Sequence, residues 1–592
     1  MNKTLLGLGL ALGLVAVTFV ACNATGEKAK EAAKPAQADG ARKPITQAVQ
    51  GVESKLVKPM ADGSLVMLPW NELGDKIPDF SFCGYRNGGV KLPDVPTLVT
   101  LELSGAEDES ERIQTALDDL GKSLEKTPDS RGALLLKKGF WKIKKMLTMS
   151  YSGVVLRGEG DGEDGTVLLW NENEKWVPLM LTVSAKGWPG RNTQVGKLDQ
   201  PYVPVGATRL KFKEEAEMDA KTLKVKSSIK GLKAGDSVTI FRPDSPEWVK
   251  DIGMDIYNWT MWTNRWSFDR KVISCENGEL VFDIPLPQSL DQKYGGAIIY
   301  LTAPQNRIRE CGIERIRFDT IYDASMVQNK GKVNEFPCDE RHPGTAILFS
   351  KIEDGWLRDC TAIHMTHGLV GLSGRSHRIT VQDCKSLDPA SLIAGARRYA
   401  YVIGGTSNLF QRCYSRNGRH DFMTQGGVVG PNAVVDCSAE SAHDATENHQ
   451  GWAMGTLFDN VRVTGPGAAL IAANRGRWGN GHGWSGNTTV FWNCASPVIF
   501  ALQPPLGQNF MIGCSDPKLF DPVQAKSKIG NQNNASKRQD QVVVGEALQG
   551  TAWKEYPNES VTPRSLYYAQ LEARLGKAAL EAVTTKEQRQ RR

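Results

Sequence analysis

All eight histidines of this 592-residue chain lie between positions 342 and 482, and several stand beside arginines and acids. Arg397-Arg398-Tyr399 is followed, 22 residues after Arg397, by Arg419-His420-Asp421. His443-Asp444 with Glu447-Asn448-His449 comes next, then Asn474-Arg475, then His482-Gly483-Trp484. A guanidinium grips carboxylates and sulfates with a planar fork, while imidazoles and phenols move protons. Together they suit β-elimination from a uronate. A cation neutralises the C5 carboxylate so that its α-proton becomes acidic, a base removes the proton, and an acid serves the leaving oxygen. The catalytic candidates are His420, His449, Arg419, Arg475, Tyr399 and Asp421, with His420 or His449 as base and Tyr399 or His482 as acid. Arg397, Arg398, Asn474 and His482 are candidate substrate contacts, flanked by Trp452, Trp478 and Trp484 as walls for sugar rings. A glycoside hydrolase would instead need two carboxylates, from Asp421, Asp444, Glu447 or Asp339. A non-catalytic glycan-binding protein would need only the groove. His364, His367 and His377 sit at strand and turn positions without neighbouring acids and read as structural.

These clusters can act together only if the fold brings them to one side. A short phrase recurring seven times supplies the means. Leu357-Arg358-Asp359-Cys360, Val381-Gln382-Asp383-Cys384, Phe410-Gln411-Arg412-Cys413 and Val434-Val435-Asp436-Cys437 are followed by Phe458-Asp459-Asn460-Val461, Phe491-Trp492-Asn493-Cys494 and Met511-Ile512-Gly513-Cys514. The final residues are 24, 29, 24, 24, 33 and 20 positions apart. A repeat of this length, rich in β-formers and with loops of unequal size, describes a supersecondary unit stacked on copies of itself. The fold expected is all-β, a right-handed parallel β-helix. Phe410 should lie over Val381 and Cys413 over Cys384. The Asp, Asn or Gly before the last position suits a sharp bend, because these residues tolerate left-handed backbone angles. Stacked cysteines would lie ~4.8 Å apart, too far for disulfides, so the ladder reads as buried thiols.

The flanks complete the plan. Leu5 to Val20 is a mostly apolar run behind Lys3, ending Phe19-Val20-Ala21-Cys22, which reads as a signal peptide (1–21) with a lipobox and lipidation at Cys22. Residues 22–60 read as a tether poor in aromatics. An N-terminal cap and the first coils are expected over 61–199, with Ser110 to Leu120 as a capping helix (Ile113, Ala116, Leu117 and Leu120 on one face). The rhythm breaks over 200–295, where Trp248, Trp259, Trp262 and Trp266 cluster. An inserted β-rich subdomain with an aromatic rim is expected there. The main coils run over 296–535, and 536–592 is an extension with a helix from Pro563 to Val583. Net charge is +6, with Lys and Arg 72 against Asp and Glu 66. This weak basicity fits an acidic polysaccharide. No basic helix or zinc spacing points to nucleic acid. The expectation is a monomer, exported, and held at a membrane only through its lipid.

The order "DFSFCGYRNGG", "ERIQTALDDL", "RGALLLKKGFWKI", "SGVVLRGEG" resembles the N-terminal portion of the pectate-lyase-like superfamily. "RRYAY", "GRHDF", "GPNAVVDC", "GWAMGTLFDN" and "GHGW" are similar to a group of secreted bacterial proteins within it. The resemblance covers nearly all of residues 79–580. It implies the β-helix fold. The superfamily holds lyases, hydrolases, epimerases and binding proteins, so activity rests on the site. A calcium site is known in several of its lyases, but no dense Asp run marks one here.

Overall fold

A computed structural model describes residues 51–127, 129–187, 193–198, 200–211, 232–257, 259, 266–302, 306–330, 335–476, 481–515 and 550–590. The signal peptide, Cys22, Trp262 and Trp478 lie outside the described residues.

Three long sheets wind together into a parallel β-helix. Sheet one has thirteen strands, from Thr97–Leu101 to Trp553–Glu555. Sheet two has eight, from Gly139–Ile143 to Arg462–Val463. Sheet three has ten, from Leu147–Met149 to Gly550–Thr551, and only that last strand pairs antiparallel. Each coil gives one short strand to each sheet, as in Ser376–Gln382, Lys385–Leu387 and Tyr399–Ile403. Such strands are too short to persist alone and are stabilised by neighbours above and below.

The repeated phrase forms the edge where sheet one bends into sheet two. Leu357, Val381, Phe410, Val434, Phe458, Phe491 and Met511 stack in register. Six cysteines follow them inside the cylinder, all buried and all free thiols. The residue before each closing position turns left-handed: Asp359 (φ 53°), Asp383 (55°), Arg412 (53°), Asp436 (51°), Asn460 (55°), Asn493 (48°) and Gly513 (66°). At every one of these bends the backbone N–H still donates to the coil above, as from Asp383 to the Gln411 carbonyl at 3.2 Å. The positive φ lets the chain turn the corner without losing a ladder hydrogen bond. Arg412 is the odd residue in this set. Its guanidinium grips Asp383 at 2.9 and 2.8 Å, tying one bend to the next.

The N-terminal cap is a helix, Ser110–Leu124, with Ile113, Leu117, Leu120 and Leu124 buried on the open end of the barrel. At the other terminus the single helix expected from Pro563 is broken at Gly576 (φ 80°) into Leu566–Leu575 and Lys577–Val583, with Lys586–Gln590 beyond. Tether behaviour cannot extend to residue 60, since Val52–Glu53 and Val57–Pro59 are strands. Val52–Glu53 pairs with Val561–Thr562, so both ends of the described chain meet. They cover the outer face of sheet one, where Leu409, Ala433, Val435, Leu457 and Val490 pack with Phe80, Tyr567 and Leu571.

The inserted subdomain is a six-stranded antiparallel sheet that begins at Thr193–Lys197 and returns at Ile298–Leu301. It is slightly longer than the 200–295 expected. Its core is shared with the β-helix. Val238, Ile240, Phe268, Trp248 and Trp266 pack with Trp452, Met454 and Trp484.

Candidate active site on the third sheet

Sheet three brings the polar clusters of successive coils side by side. Tyr399 pairs with His420 across Tyr399–Ile403 and His420–Thr424. Met423 of the latter strand pairs with Glu447 of Thr446–Asn448. Glu447 and His449 are two residues apart on extended chain and so point the same way. Arg475 and His482 arrive from the loop of the following coil.

Glu447 is the hub. Its Oε1 lies 2.6 Å from Arg475 Nη1, 2.8 Å from His449 Nδ1 and 3.2 Å from His420 Nδ1. With Glu447 ionised, Arg475 donates to it; in the tautomer that carries its proton on Nδ1, His449 donates to it as well and keeps its lone pair on Nε2. That nitrogen faces the Tyr399 hydroxyl at 3.4 Å. Arg419 Nη2 donates to the same hydroxyl at 3.1 Å, and its Nη1 donates to Asp444 at 3.0 Å. The rings of His420 and His482 lie against His449 at 4.6 and 5.0 Å. His420 Nδ1 is 2.6 Å from the Ala445 carbonyl, a contact that fixes the proton on Nδ1. Its Nε2 has no hydrogen-bond partner among the described residues and is buried.

Burial sets the charges. It drives His420 well below the ordinary imidazole value, with Arg419 next in effect. It takes His449 to about 2, helped by Arg475, and His482 to about 3. All three rings are therefore neutral near neutral pH. Burial pushes Glu447 up to about 7 against the pull of Arg475 and Arg419. It also raises Asp444, against Arg419.

Of the candidates read from sequence, Tyr399, Arg419, His420, His449, Arg475 and His482 converge here. Arg397 stands at the margin, clasped by Glu340 at 2.9 and 3.0 Å. Asn474 is turned to its own loop, capping the Gly476 N–H. Arg398 is buried and spends its donors on the carbonyls of Ser391, Asn417 and Pro337. Asp421 is wholly buried, bonded to Ser415 Oγ at 2.5 Å, and pushed up to about 7 by burial. Trp452 and Trp484 do not wall the groove. They are buried in the joint with the subdomain, where the Trp452 ring meets Trp248 edge-on at 4.9 Å. Glu447 was weighed in the sequence only as a hydrolase carboxylate, and its organising role was missed. The signal was the Glu-Asn-His alternation, which puts acid and imidazole on one strand face. Asp339 is buried under Arg341 and Asn173 and belongs to a loop.

Among the described residues, one group could share a metal ion: His420, Glu447 and His449, with ligand atoms within 4.8 Å. Calcium takes six to eight oxygens and does not suit this nitrogen-rich set. The Arg475 guanidinium already places positive charge against both Glu447 and His449.

No protein-family model and no curated protein matches the chain. Solved structures with a similar chain path include ORF18 of Geobacillus virus E2, at 11% identity and TM-score 0.34, over 72% of this chain and 58% of that one. The tailspike gp49 of Pseudomonas phage LKA1 is 12% identical with TM-score 0.32, over 69% and 64%. The tailspike of E. coli bacteriophage HK620, solved in complex with a pentasaccharide, is 9% identical with TM-score 0.34, over 70% and 55%. The chain spans less than two thirds of the length of each.

Proposed function

We propose that this protein is a polysaccharide lyase that cleaves uronate-containing glycan by β-elimination at Tyr399. The observation that carries the reading is the Tyr399 phenol oxygen, held between Arg419 Nη2 at 3.1 Å and the neutral His449 Nε2 at 3.4 Å. Arg419 stabilises Tyr399 as the phenolate, its proton released to solvent, and the neutral His449, oriented by Glu447, accepts a hydrogen bond from the phenol form. The phenolate removes the C5 proton of the uronate. The electron pair forms the C4–C5 double bond as the C4–oxygen bond breaks, and the phenol returns a proton to the leaving oxygen. Arg419 exchanges Asp444 for the substrate carboxylate, which acidifies the C5 proton. No water is consumed.

The hydrolase alternative has less support. Two carboxylates should flank the scissile bond, but of the four weighed only Asp444 is partly open, while Asp421, Asp339 and Glu447 are buried. We further propose that the enzyme works outside the cytoplasm, on a lipid at Cys22.

The test is digestion of polygalacturonate, alginate, ulvan and glycosaminoglycans. A lyase generates ultraviolet absorbance and a product lighter by one water than the hydrolysis product. Reducing ends without absorbance favour the hydrolase. Affinity without product favours a binding protein.

A further inference from the structure

One aromatic residue at the third sheet plays no part in the cluster at Tyr399. Trp176 immediately precedes the strand Val177–Ser184 and is 51% exposed. Every other tryptophan among the described residues is half-buried or buried. Val177–Ser184, Pro343–Ser350, Gly368–Leu372 and Tyr399–Ile403 are successive strands of sheet three. Trp176 therefore stands three strand spacings before Tyr399, ~14 Å along the solenoid axis.

Other rings fill the interval. A Cβ placed on Gly344 would lie 2.9 Å from His367 Cδ2 and 3.4 Å from Trp176 Cζ2. Because Gly344 has no side chain, the indole and the imidazole close on the same point beside its backbone. From His367 the rings continue. Centroids are 5.9 Å apart from His367 to Tyr399, 5.5 Å from Tyr399 to His449 and 5.0 Å from His449 to His482. Burial takes His367 to about 4, so its ring is neutral near neutral pH. A row of uncharged rings thus runs along the axis, from the exposed indole to the catalytic cluster.

The surroundings of Trp176 do not select an anion. Asp339 accepts from Asn173 and Arg341, and Glu340 clasps Arg397. The chain neighbours Glu172, Glu174 and Lys175 bring no surplus of positive charge. What the indole offers is a flat apolar surface. It suits the C–H face of a pyranose, whose burial needs no carboxylate contact.

We infer that Trp176 is a distal sugar-binding subsite, stacking one pyranose of a glycan that lies along sheet three with another unit at Tyr399. A pyranose in an extended chain is about as long as one strand spacing, which puts Trp176 about three units from the bond that is cut. The inference rests on the proposed glycan substrate and adds the direction in which it lies and the length the protein grips.

The experiment is calorimetric titration of galacturonate, mannuronate and hyaluronan hexasaccharides into the full chain carrying Tyr399→Phe, with and without Trp176→Ala. The expected result is saturable binding of at least one hexasaccharide, weakened at least fivefold by Trp176→Ala at an unchanged melting temperature. Trp176→Phe, which keeps a flat ring, should stay within twofold of the parent. With Tyr399 intact, Trp176→Ala should raise KM for the matching polymer at least fivefold and leave kcat within twofold. Hexasaccharide binding untouched by Trp176→Ala overturns the inference, as does the absence of saturable binding by all three. A lowered melting temperature also overturns it, by making the indole part of the scaffold. The two readings fail separately. A hexasaccharide that binds through Trp176 yet yields no unsaturated product supports the subsite and sinks the lyase. Unsaturated product formed by Trp176→Ala at the wild-type KM keeps the lyase and sinks the subsite.

Discussion

Sheets one and three are made by the same coils, yet their outer faces have opposite fates. On sheet one the outward residues are Leu409, Ala433, Val435, Leu457 and Val490, and both chain ends lie over them. On sheet three the neighbouring coils present Tyr399, Glu447 and His449, and the chain leaves Tyr399 and Asp444 partly open. The solenoid interior is indifferent to this choice, since Phe410, Phe422 and Phe458 fill it either way. A β-helix therefore separates two tasks. Inward positions and bends carry the fold, while outward positions on one sheet are free to carry chemistry.

The contrast can be broken from both sides. Tyr399→Phe should cost about 10²–10⁴ in kcat, the usual contribution of a positioned proton-transfer group, with no change in melting temperature. Lost stability would instead make Tyr399 part of the scaffold. Phe458→Ala, inside the cylinder, should do the reverse and cost about 3–5 kcal/mol in denaturant unfolding, with residual folded protein fully active. Glu447→Gln removes the ionised acceptor of His449 and should lower kcat/KM about 10–100-fold, equivalent to a charged hydrogen bond of 1.5–3 kcal/mol. It should also change the pH profile. Burial raises Glu447 to about 7, so the wild-type carboxyl is protonated below that pH. Activity should then fall as pH drops through about 7, a limb that the glutamine variant lacks. In nitrogen-labelled protein, the His449 ring should remain neutral at pH 5, because burial and Arg475 hold its value near 2. The smallest effect belongs to the bends. Asp383→Ala removes two hydrogen bonds from the Arg412 guanidinium, which keeps those to Gln588 and Val583, and unfolding should report a loss of about 1–2 kcal/mol.

What the sequence disclosed follows the same division. The ladder from Leu357 to Met511 was legible because period, apolar type and turn residue coincide at each copy. The left-handed bends at Asp359, Asp383 and Asn493 were legible for the same reason. Which sequence clusters would meet followed from the coil length, which is why Tyr399, Arg419 and His449 were found together. Orientation within a cluster was not encoded in spacing. Arg398 and Tyr399 are adjacent, and only the twist of the loop decides that one is buried against carbonyls while the other faces the cleft. Trp452 and Trp484 look like groove aromatics until the subdomain is seen to press on them. Glu447 was hidden because its importance lies in three partners drawn from three other positions, His420, His449 and Arg475.

The pairing of Val52–Glu53 with Val561–Thr562 has a consequence for assembly. A polypeptide made from its N-terminus releases the first of these strands long before the second. The opening segment must wait, unseated, while every intervening turn is laid down. The seam thus closes only after two strands far apart in the chain, and every coil between them, have been made.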